Sequence, residues 1–109
     1  MDLKEFKETY TLLNAELISL EISQADDILK ISQVFNLANG KQAKFTFEDI
    51  IVYDFNSQNT CNLYLVSDCI FLETDNVVYL SLDPYNSKLG MHEHDRDYIE
   101  STNLRIEIL

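Results

Sequence analysis

Residues 29–47 decide the fold class, and they read LKISQVFNLANGKQAKFTF. Apolar and polar side chains alternate on both sides of Asn39-Gly40, and this period of two places every second side chain on one face of a strand. Asn-Gly is typical of a type I′ hairpin turn, in which both central residues have positive φ. The stretch therefore predicts two antiparallel strands joined at Asn39-Gly40. The predicted inward side chains are those of Leu29, Ile31, Gln33, Phe35, Leu37, Ala43, Phe45 and Phe47.

The same alternation extends in both directions along the chain. Upstream, Ile18, Leu20 and Ile22 alternate with polar residues, and residues 24–27 form a polar turn before the next strand. Downstream, the alternation breaks at residues 49–52, which indicates a bulge, a strand end or a fully buried stretch. Residues 56–60 are predicted to form a polar loop, and residues 61–67 are compatible with a strand or a short helical turn.

The last third of the chain predicts further strands. Residues 69–73 and 77–82 form a hairpin that turns at residues 74–76, and residues 83–87 form a loop, with an extension of this loop to Arg96 as the alternative. Residues 98–101 and 104–108 are predicted to be two strands around Thr102-Asn103. About seven short strands are expected in total.

The first dozen residues have a different period. Leu3, Phe6, Tyr10 and Leu13 recur at helical spacing and form one apolar stripe. Asp2 is a suitable N-cap with Glu5 three residues later, the arrangement of a capping box. This segment therefore predicts a helix.

Short connections between strands require antiparallel neighbours, because parallel strands need a crossover of a dozen or more residues. We therefore expect residues 1–109 to form a single α+β domain that is mostly β. Its N-terminal helix should pack on a curved antiparallel sheet, or on a partly closed barrel or sandwich, of about seven strands.

The charge balance restricts the partners. The chain has 19 acidic and 8 basic residues, a formal net charge of −11. This charge repels phosphate backbones and anionic membranes, so we expect no direct binding to nucleic acid or to a membrane, and instead a basic protein partner. The apolar runs are shorter than a membrane span, and the N-terminal residues are polar, which predicts a cytoplasmic protein.

The two cysteines, Cys61 and Cys69, lie eight residues apart in apolar surroundings. Small domains stabilised by disulfides usually carry four or more cysteines. We therefore predict free, buried or half-buried thiols, with a Cys61–Cys69 disulfide as the alternative.

The candidate chemistry concentrates in residues 92–97, HEHDRD. On an extended strand His92 and His94 would face the same side, a spacing that allows two imidazoles to share one metal ion. A solvated loop rich in charges is the simpler interpretation, and we predict no metal, no cofactor and no catalytic residue. The chain has two glycines, Gly40 and Gly90, whereas a phosphate-binding loop needs several glycines close together, so such a loop is disfavoured.

The acidic residues are least compensated in the C-terminal part of the chain. Residues 68–109 contain nine acidic and three basic residues, whereas residues 1–67 contain ten and five. We therefore expect an acidic partner-binding face in this part, and its candidate residues are Asp68, Glu73, Asp75, Glu93, Asp95 and Asp97.

Three stretches carry a resemblance to a known class of proteins. They are residues 14–22 (NAELISLEI), 45–50 (FTFEDI) and 79–85 (YLSLDPY). Their succession resembles small β-rich bacterial immunity proteins of polymorphic-toxin and contact-dependent growth inhibition systems. The resemblance implies a protein that neutralises a cognate toxin, and it carries no shared binding residues onto this chain.

Charge and resemblance favour the same function. A toxin domain that cuts nucleic acid is basic because it holds phosphates, and an acidic inhibitor associates with it quickly. The sequence therefore predicts an immunity protein that blocks a basic toxin domain of the nuclease class. The alternatives are a metal-dependent or hydrolytic enzyme that uses His92 and His94, and a structural β-domain that self-associates through a strand edge.

Overall fold

The computed structural model describes residues 1–55 and 64–109. Within them, seven strands form one antiparallel sheet in the order β4-β1-β2-β3-β7-β6-β5, and the sheet curls into a half-barrel. The predicted fold class is confirmed. The elements are helix α1 (Leu3–Thr9), strands β1 (Glu16–Ala25), β2 (Ile28–Asn36), β3 (Gln42–Asp54), β4 (Tyr64–Leu65), β5 (Ile70–Thr74), β6 (Val77–Asp83) and β7 (Arg96–Ile108), and a 3-10 turn at Ser87–Leu89.

The curl of the sheet brings β4, at one edge, next to β6, near the other. The hydroxyl of Tyr64 on β4 donates a hydrogen bond to the backbone carbonyl of Leu82 on β6 at 3.0 Å. Val66 follows β4 and exchanges backbone hydrogen bonds with the chain just before β1, at Asn14 and Ala15. The Tyr64 bond connects the two ends of the sheet, and the Val66 bonds fasten β4 to the chain before β1, so the concave face encloses the core.

Helix α1 packs on the concave face and contributes Phe6, which is fully buried. The Phe6 ring lies edge-on to Phe45 of β3 at 5.3 Å and to Phe71 of β5 at 6.0 Å, between ring centroids. Phe45 and Phe71 stack on each other at 5.4 Å. Edge-to-face and offset stacks are favourable aromatic arrangements, so the helix connects two distant strands through one cluster.

The predicted N-cap of the helix is confirmed, because the Asp2 carboxylate accepts a hydrogen bond from the backbone N–H of Glu5 at 2.8 Å. The predicted length is wrong. The helix ends at Thr9 and the backbone is extended at Tyr10. Leu13 is therefore 43% exposed, and Leu12 is buried in its place.

A bulge in β1 changes the predicted inward face at the start of that strand. The pairing between β1 and β2 shifts register between Leu17 and Ser19, so Ile18 is an extra residue, and Leu17, which pairs with the buried Phe35, is buried instead. After the bulge the predicted face is kept: Ile22 pairs with the buried Ile31, although near the hairpin end it is 47% exposed. The alternation of apolar and polar residues cannot reveal a bulge, because one inserted residue moves the side chains that precede it to the opposite face of the strand.

Two of the hairpins turn through type I′ geometry, but the predicted type I′ turn at Asn39-Gly40 is wrong. Positive φ occurs at both residues of Asp26-Asp27 and of Asp75-Asn76, each of which joins two strands directly. At the predicted turn, Gly40 has a φ of 89° and Asn39 does not have positive φ. The loop is longer, since the N–H of Leu37 donates to the carbonyl of Lys41.

Strand β7 corrects the prediction of two C-terminal strands. It runs unbroken from Arg96 to Ile108, and Asn103 pairs with Glu48 of β3. Cross-strand pairing on β3 therefore overrides the local turn preference of Thr102-Asn103. The predicted irregularity in β3 is a bulge: Asp49 has a φ of 50°, and the pairing with β7 shifts register between Ile50 and Val52.

Some sequence predictions fall on residues 56–63, which lie outside the described residues. They are the polar loop at 56–60, the thiol of Cys61 and the first part of the 61–67 segment. Cys69 is a half-buried free thiol, and burial, followed by the nearby Asp68 charge, raises its pKa despite the opposing effect of Lys7. Among the described residues, no helix is long and apolar enough to cross a membrane.

Candidate functional site

The connection between β6 and β7, residues 84–95, folds back over the convex face of the sheet. Leu80 and Leu82 of β6 belong to the core, so Tyr79 and Ser81 point to the opposite face. Both are nevertheless buried, with exposed fractions of 3% and 0%. The hydroxyl of Ser81 donates to the backbone carbonyl of Arg96 at 2.7 Å. The connection therefore covers this part of the convex face.

Asp95 organises the connection. One of its carboxylate oxygens accepts hydrogen bonds from the Tyr79 hydroxyl at 2.5 Å and from the backbone N–H of His92 at 2.9 Å. The other accepts from the backbone N–H of Tyr85 at 2.8 Å. Its own N–H donates to the carbonyl of His92 and closes a turn. A single buried carboxylate thus holds both ends of the connection against β6.

The hydrogen bonds at Asp95 set the protonation of this cluster. Burial, the largest influence, raises the pKa of Asp95, but the bonds from Tyr79, Tyr85 and His92 together outweigh it, so the pKa is lowered overall. Burial also raises the pKa of Tyr79, and the bond to Asp95 and the charges of Asp95 and Glu100 raise it further. At neutral pH the pair is therefore a carboxylate and a neutral phenol.

An open groove of about 290 Å³ lies between this connection and strands β6 and β7. Tyr79 and Tyr98 are stacked beside it, with ring centroids 5.8 Å apart and an interplanar angle of 27°. Glu100 pairs with Tyr79 across the two strands, so both side chains lie on the convex face. The residues that line the groove are Tyr79, Met91, His92, Glu93, Tyr98 and Glu100.

The two histidines lie in the turn of the connection, not on an extended strand as the metal hypothesis requires. His92 stacks on Tyr85 at 4.3 Å, and the two imidazoles are 5.2 Å apart between centroids. Nδ1 of His92 accepts a hydrogen bond from the backbone N–H of His94 at 3.1 Å, which places the proton of the neutral ring on Nε2. Within residues 1–55 and 64–109, no group of three or more His, Cys, Asp or Glu side chains could hold a metal ion.

Four of the six predicted partner-binding acids are exposed, but the structure does not gather them on one surface. Asp68 precedes β5 and accepts a hydrogen bond from the N–H of Cys69. Asp75 lies in the turn between β5 and β6. Glu73 lines a different groove, next to helix α1, together with Lys4 and Lys7. Glu93 lines the groove on the convex face.

The other two predicted acids are buried, which corrects their assignment to an exposed face. Asp95 is 4% exposed and holds the connection as described above. Asp97 is 5% exposed and faces a small interior cavity lined by Gln33 and Tyr64 among others. Charge counting cannot separate an exposed acid from a buried acid that accepts several hydrogen bonds, and here burial removes both from the accessible surface.

Sequence reasoning missed Tyr79, Met91, Tyr98 and Glu100 as groove residues. The period of two on residues 77–82 and 98–101 places Tyr79, Tyr98 and Glu100 on the convex face, and that signal was available. The missing information was the path of the 84–95 connection, which decides which part of the convex face becomes a groove.

In the part of the chain that the structure describes, no lysine or arginine forms an ion pair with the acidic residues of the groove. Among the described residues, the ion pairs of Lys and Arg converge on Glu48, with Lys30 at 3.6 Å and Arg105 at 3.1 Å. Glu93 contacts His94 at 3.7 Å, with both side chains largely exposed. The groove therefore combines aromatic walls with unneutralised carboxylates.

Comparison of the chain with protein-family models, curated proteins and solved structures found no match. The function of the chain is therefore inferred from its own residues.

Proposed function

We propose that this chain is an immunity protein that binds and neutralises a cognate basic toxin domain, of the nuclease class, through an acidic face. The observation that carries the proposal is the groove on the convex face, whose lining, among residues 1–55 and 64–109, includes Glu93 and Glu100 and no lysine or arginine. Aromatic residues are enriched at protein interfaces, and Tyr98 supplies one there.

The electrostatics of the whole chain support the same partner. A net charge of −11 attracts a cationic protein over distances longer than direct contact, and it repels nucleic acid. A nuclease domain must be basic to hold its substrate. An acidic inhibitor therefore gains a fast association with such a domain, and it covers the surface that the substrate needs.

The proposed face is centred on the groove and extends to neighbouring exposed acids. Asp54 of β3 is exposed and pairs with Tyr98 of β7, so it lies on the same face of the sheet. Glu93 and Glu100 lie in the groove itself. Asp68 and Asp75 stay predicted contacts, whereas Glu73 lies beside Lys4 and Lys7, which weaken its attraction for a cation.

The alternative of self-association through a strand edge is less well supported. An open edge presents unpaired backbone groups to another chain. At the β5 edge the ammonium group of Lys7 donates to the backbone carbonyl of Phe71 at 2.6 Å. That contact occupies an acceptor that a further strand would use.

The test uses the gene next to the one that encodes this chain. The proposal predicts that the neighbouring gene encodes a secreted protein with a basic C-terminal domain, that expression of this domain stops bacterial growth, and that co-expression of the chain restores it. A matched control co-expresses the Glu93→Lys/Glu100→Lys variant, which should protect less. A toxic basic domain that the wild-type chain fails to neutralise contradicts the proposal.

A further inference from the structure

We propose that the groove between the 84–95 connection and strands β6 and β7 is a specificity pocket that receives one arginine side chain of a basic protein partner. This inference rests on the proposed function, and it names the group that the acidic face recognises. The juxtaposition that supports it is an aromatic side chain, Tyr98, in the lining of the same groove as two carboxylates, Glu93 and Glu100.

The aromatic wall suits a planar cation. Tyr79 is 3% exposed and its hydroxyl is hydrogen-bonded to Asp95, so its ring is fixed in place. Tyr98 stacks on Tyr79 and is only half-buried, so it is the ring that a ligand can reach. A guanidinium group stacks on an aromatic face more favourably than a lysine ammonium group does, because it is planar and more weakly hydrated.

The carboxylates supply the charge and the hydrogen-bond acceptors. Glu93 and Glu100 line the groove, and a guanidinium group presents donors in a fork that matches a carboxylate. Asp95 accepts the hydrogen bond of the Tyr79 hydroxyl and is ionised at neutral pH, because its hydrogen bonds lower its pKa. Its charge adds to the negative potential of the groove without being available for contact.

The open shape of the groove favours a side chain over a cofactor or a small-molecule substrate. Sites for such ligands usually enclose most of the ligand. This groove is open to solvent. Met91 lies in its lining, and its flexible thioether can pack against the aliphatic stem of a long cationic side chain.

The direct test is a titration of the intact chain with N-acetyl-arginine methylamide, followed by NMR of ¹³C-labelled methionine methyl groups. The chain has two methionines, so the experiment contains its own control. Met91 lines the groove, whereas Met1 lies at the N-terminus, where its amino group donates to the carbonyl of Ile106. The expected result is a saturable shift of the Met91 signal with millimolar affinity and no comparable shift at Met1.

Variants locate the interaction. Glu100→Gln removes one charge without changing shape, and Tyr98→Leu removes the aromatic face; each should weaken binding of the probe at least about threefold. Glu107→Gln is the matched control, because Glu107 is an exposed acid on the same strand, paired with Lys44 outside the groove. It should leave the affinity unchanged. The corresponding lysine probe should bind about threefold more weakly than the arginine probe.

Three results would overturn the inference. They are equal shifts at Met1 and Met91, equal losses in the Glu100→Gln and Glu107→Gln variants, and equal affinity for the arginine and lysine probes. Because the titration needs no toxin, its outcome is independent of the growth test. A chain that binds the probe in the groove but does not neutralise the neighbouring toxin contradicts the proposed function alone.

Discussion

The hydroxyl of Tyr79 on β6 donates a hydrogen bond to the carboxylate of Asp95, 16 residues further along the chain. The same carboxylate accepts from the backbone N–H groups of Tyr85 and His92. This cluster therefore fixes the 84–95 connection on the convex face and determines the shape of the groove.

Replacement of Tyr79 by phenylalanine should destabilise the fold by about 1.5–3 kcal/mol, since it deletes a buried hydrogen bond to a charged group and leaves Asp95 short of one donor. Urea unfolding followed by circular dichroism measures the difference. Tyr98→Phe is the control, because it removes the hydroxyl of the neighbouring ring in the same stack, and it should change stability by less than about 0.5 kcal/mol. Equal effects of the two substitutions would contradict the role of the Tyr79 bond.

Stability should fall at acid pH through Asp95. Folding lowers the pKa of this carboxyl from its ordinary value of 3.8, so the stabilisation is present above that value and is lost as the pH falls through the lower folded pKa. The thermal midpoint of the wild-type chain should decrease between about pH 5 and about pH 2. In Asp95→Asn the midpoint should already be lower at neutral pH and its dependence on pH should be shallower. An unchanged slope would contradict this assignment.

At alkaline pH the dependence of stability on pH has the opposite sign: stability falls as the pH rises, and Tyr79 is the responsible group. Its folded pKa is raised above the ordinary value of 10.0, so its contribution is complete below pH 10 and declines as the pH rises above it. Unfolding midpoints of the wild-type chain should fall above about pH 10, and Tyr79→Phe should remove part of that fall. Identical alkaline profiles for the two proteins would count against the raised pKa.

The hairpin turns provide a test of backbone conformation. Asp27 has a φ of 63°, so Asp27→Gly should relieve strain and stabilise the chain by up to about 1 kcal/mol. Asn39→Gly should bring no gain in stability, because Asn39 does not have positive φ. This holds although Asn39-Gly40 is the more typical turn sequence of the two. Thermal unfolding of the two variants distinguishes these outcomes. A gain at Asn39 with none at Asp27 would restore the turn that the sequence predicts.

Period-two alternation was sufficient to predict the strands and the buried face of residues 31–47, since Ile31, Phe35 and Phe45 are fully buried there. It failed where a single residue changed the face, as at the Ile18 bulge, and where pairing with the neighbouring strand β3 overrode a local turn signal, as at Thr102-Asn103. Both failures have the same origin. The deciding interactions come from residues that are distant in sequence, and local patterns do not contain them.

The candidate site was predictable only in part, for the same reason. Composition pointed to the C-terminal acids, and one of them, Glu93, lines the groove. Asp95 and Asp97 are counted with them in the sequence, yet both are buried. Tyr79 shows the converse. It occupies an outward position of β6, and it is buried because the 84–95 connection returns over it. Sequence patterns assign a face to a side chain, but they do not show what covers that face.

The most direct test of the central claim is the rate at which the chain associates with the basic domain encoded beside it, measured by stopped-flow fluorescence between about 0.05 M and about 0.5 M salt. The wild-type rate should fall by roughly tenfold or more over this range, because salt screens the attraction of the acidic face. Glu93→Lys/Glu100→Lys should reduce the rate at low salt much more than Glu5→Lys/Glu8→Lys, which makes the same change in net charge on the helix. Equal rates for the two double variants, or a wild-type rate that does not depend on salt, would contradict the account.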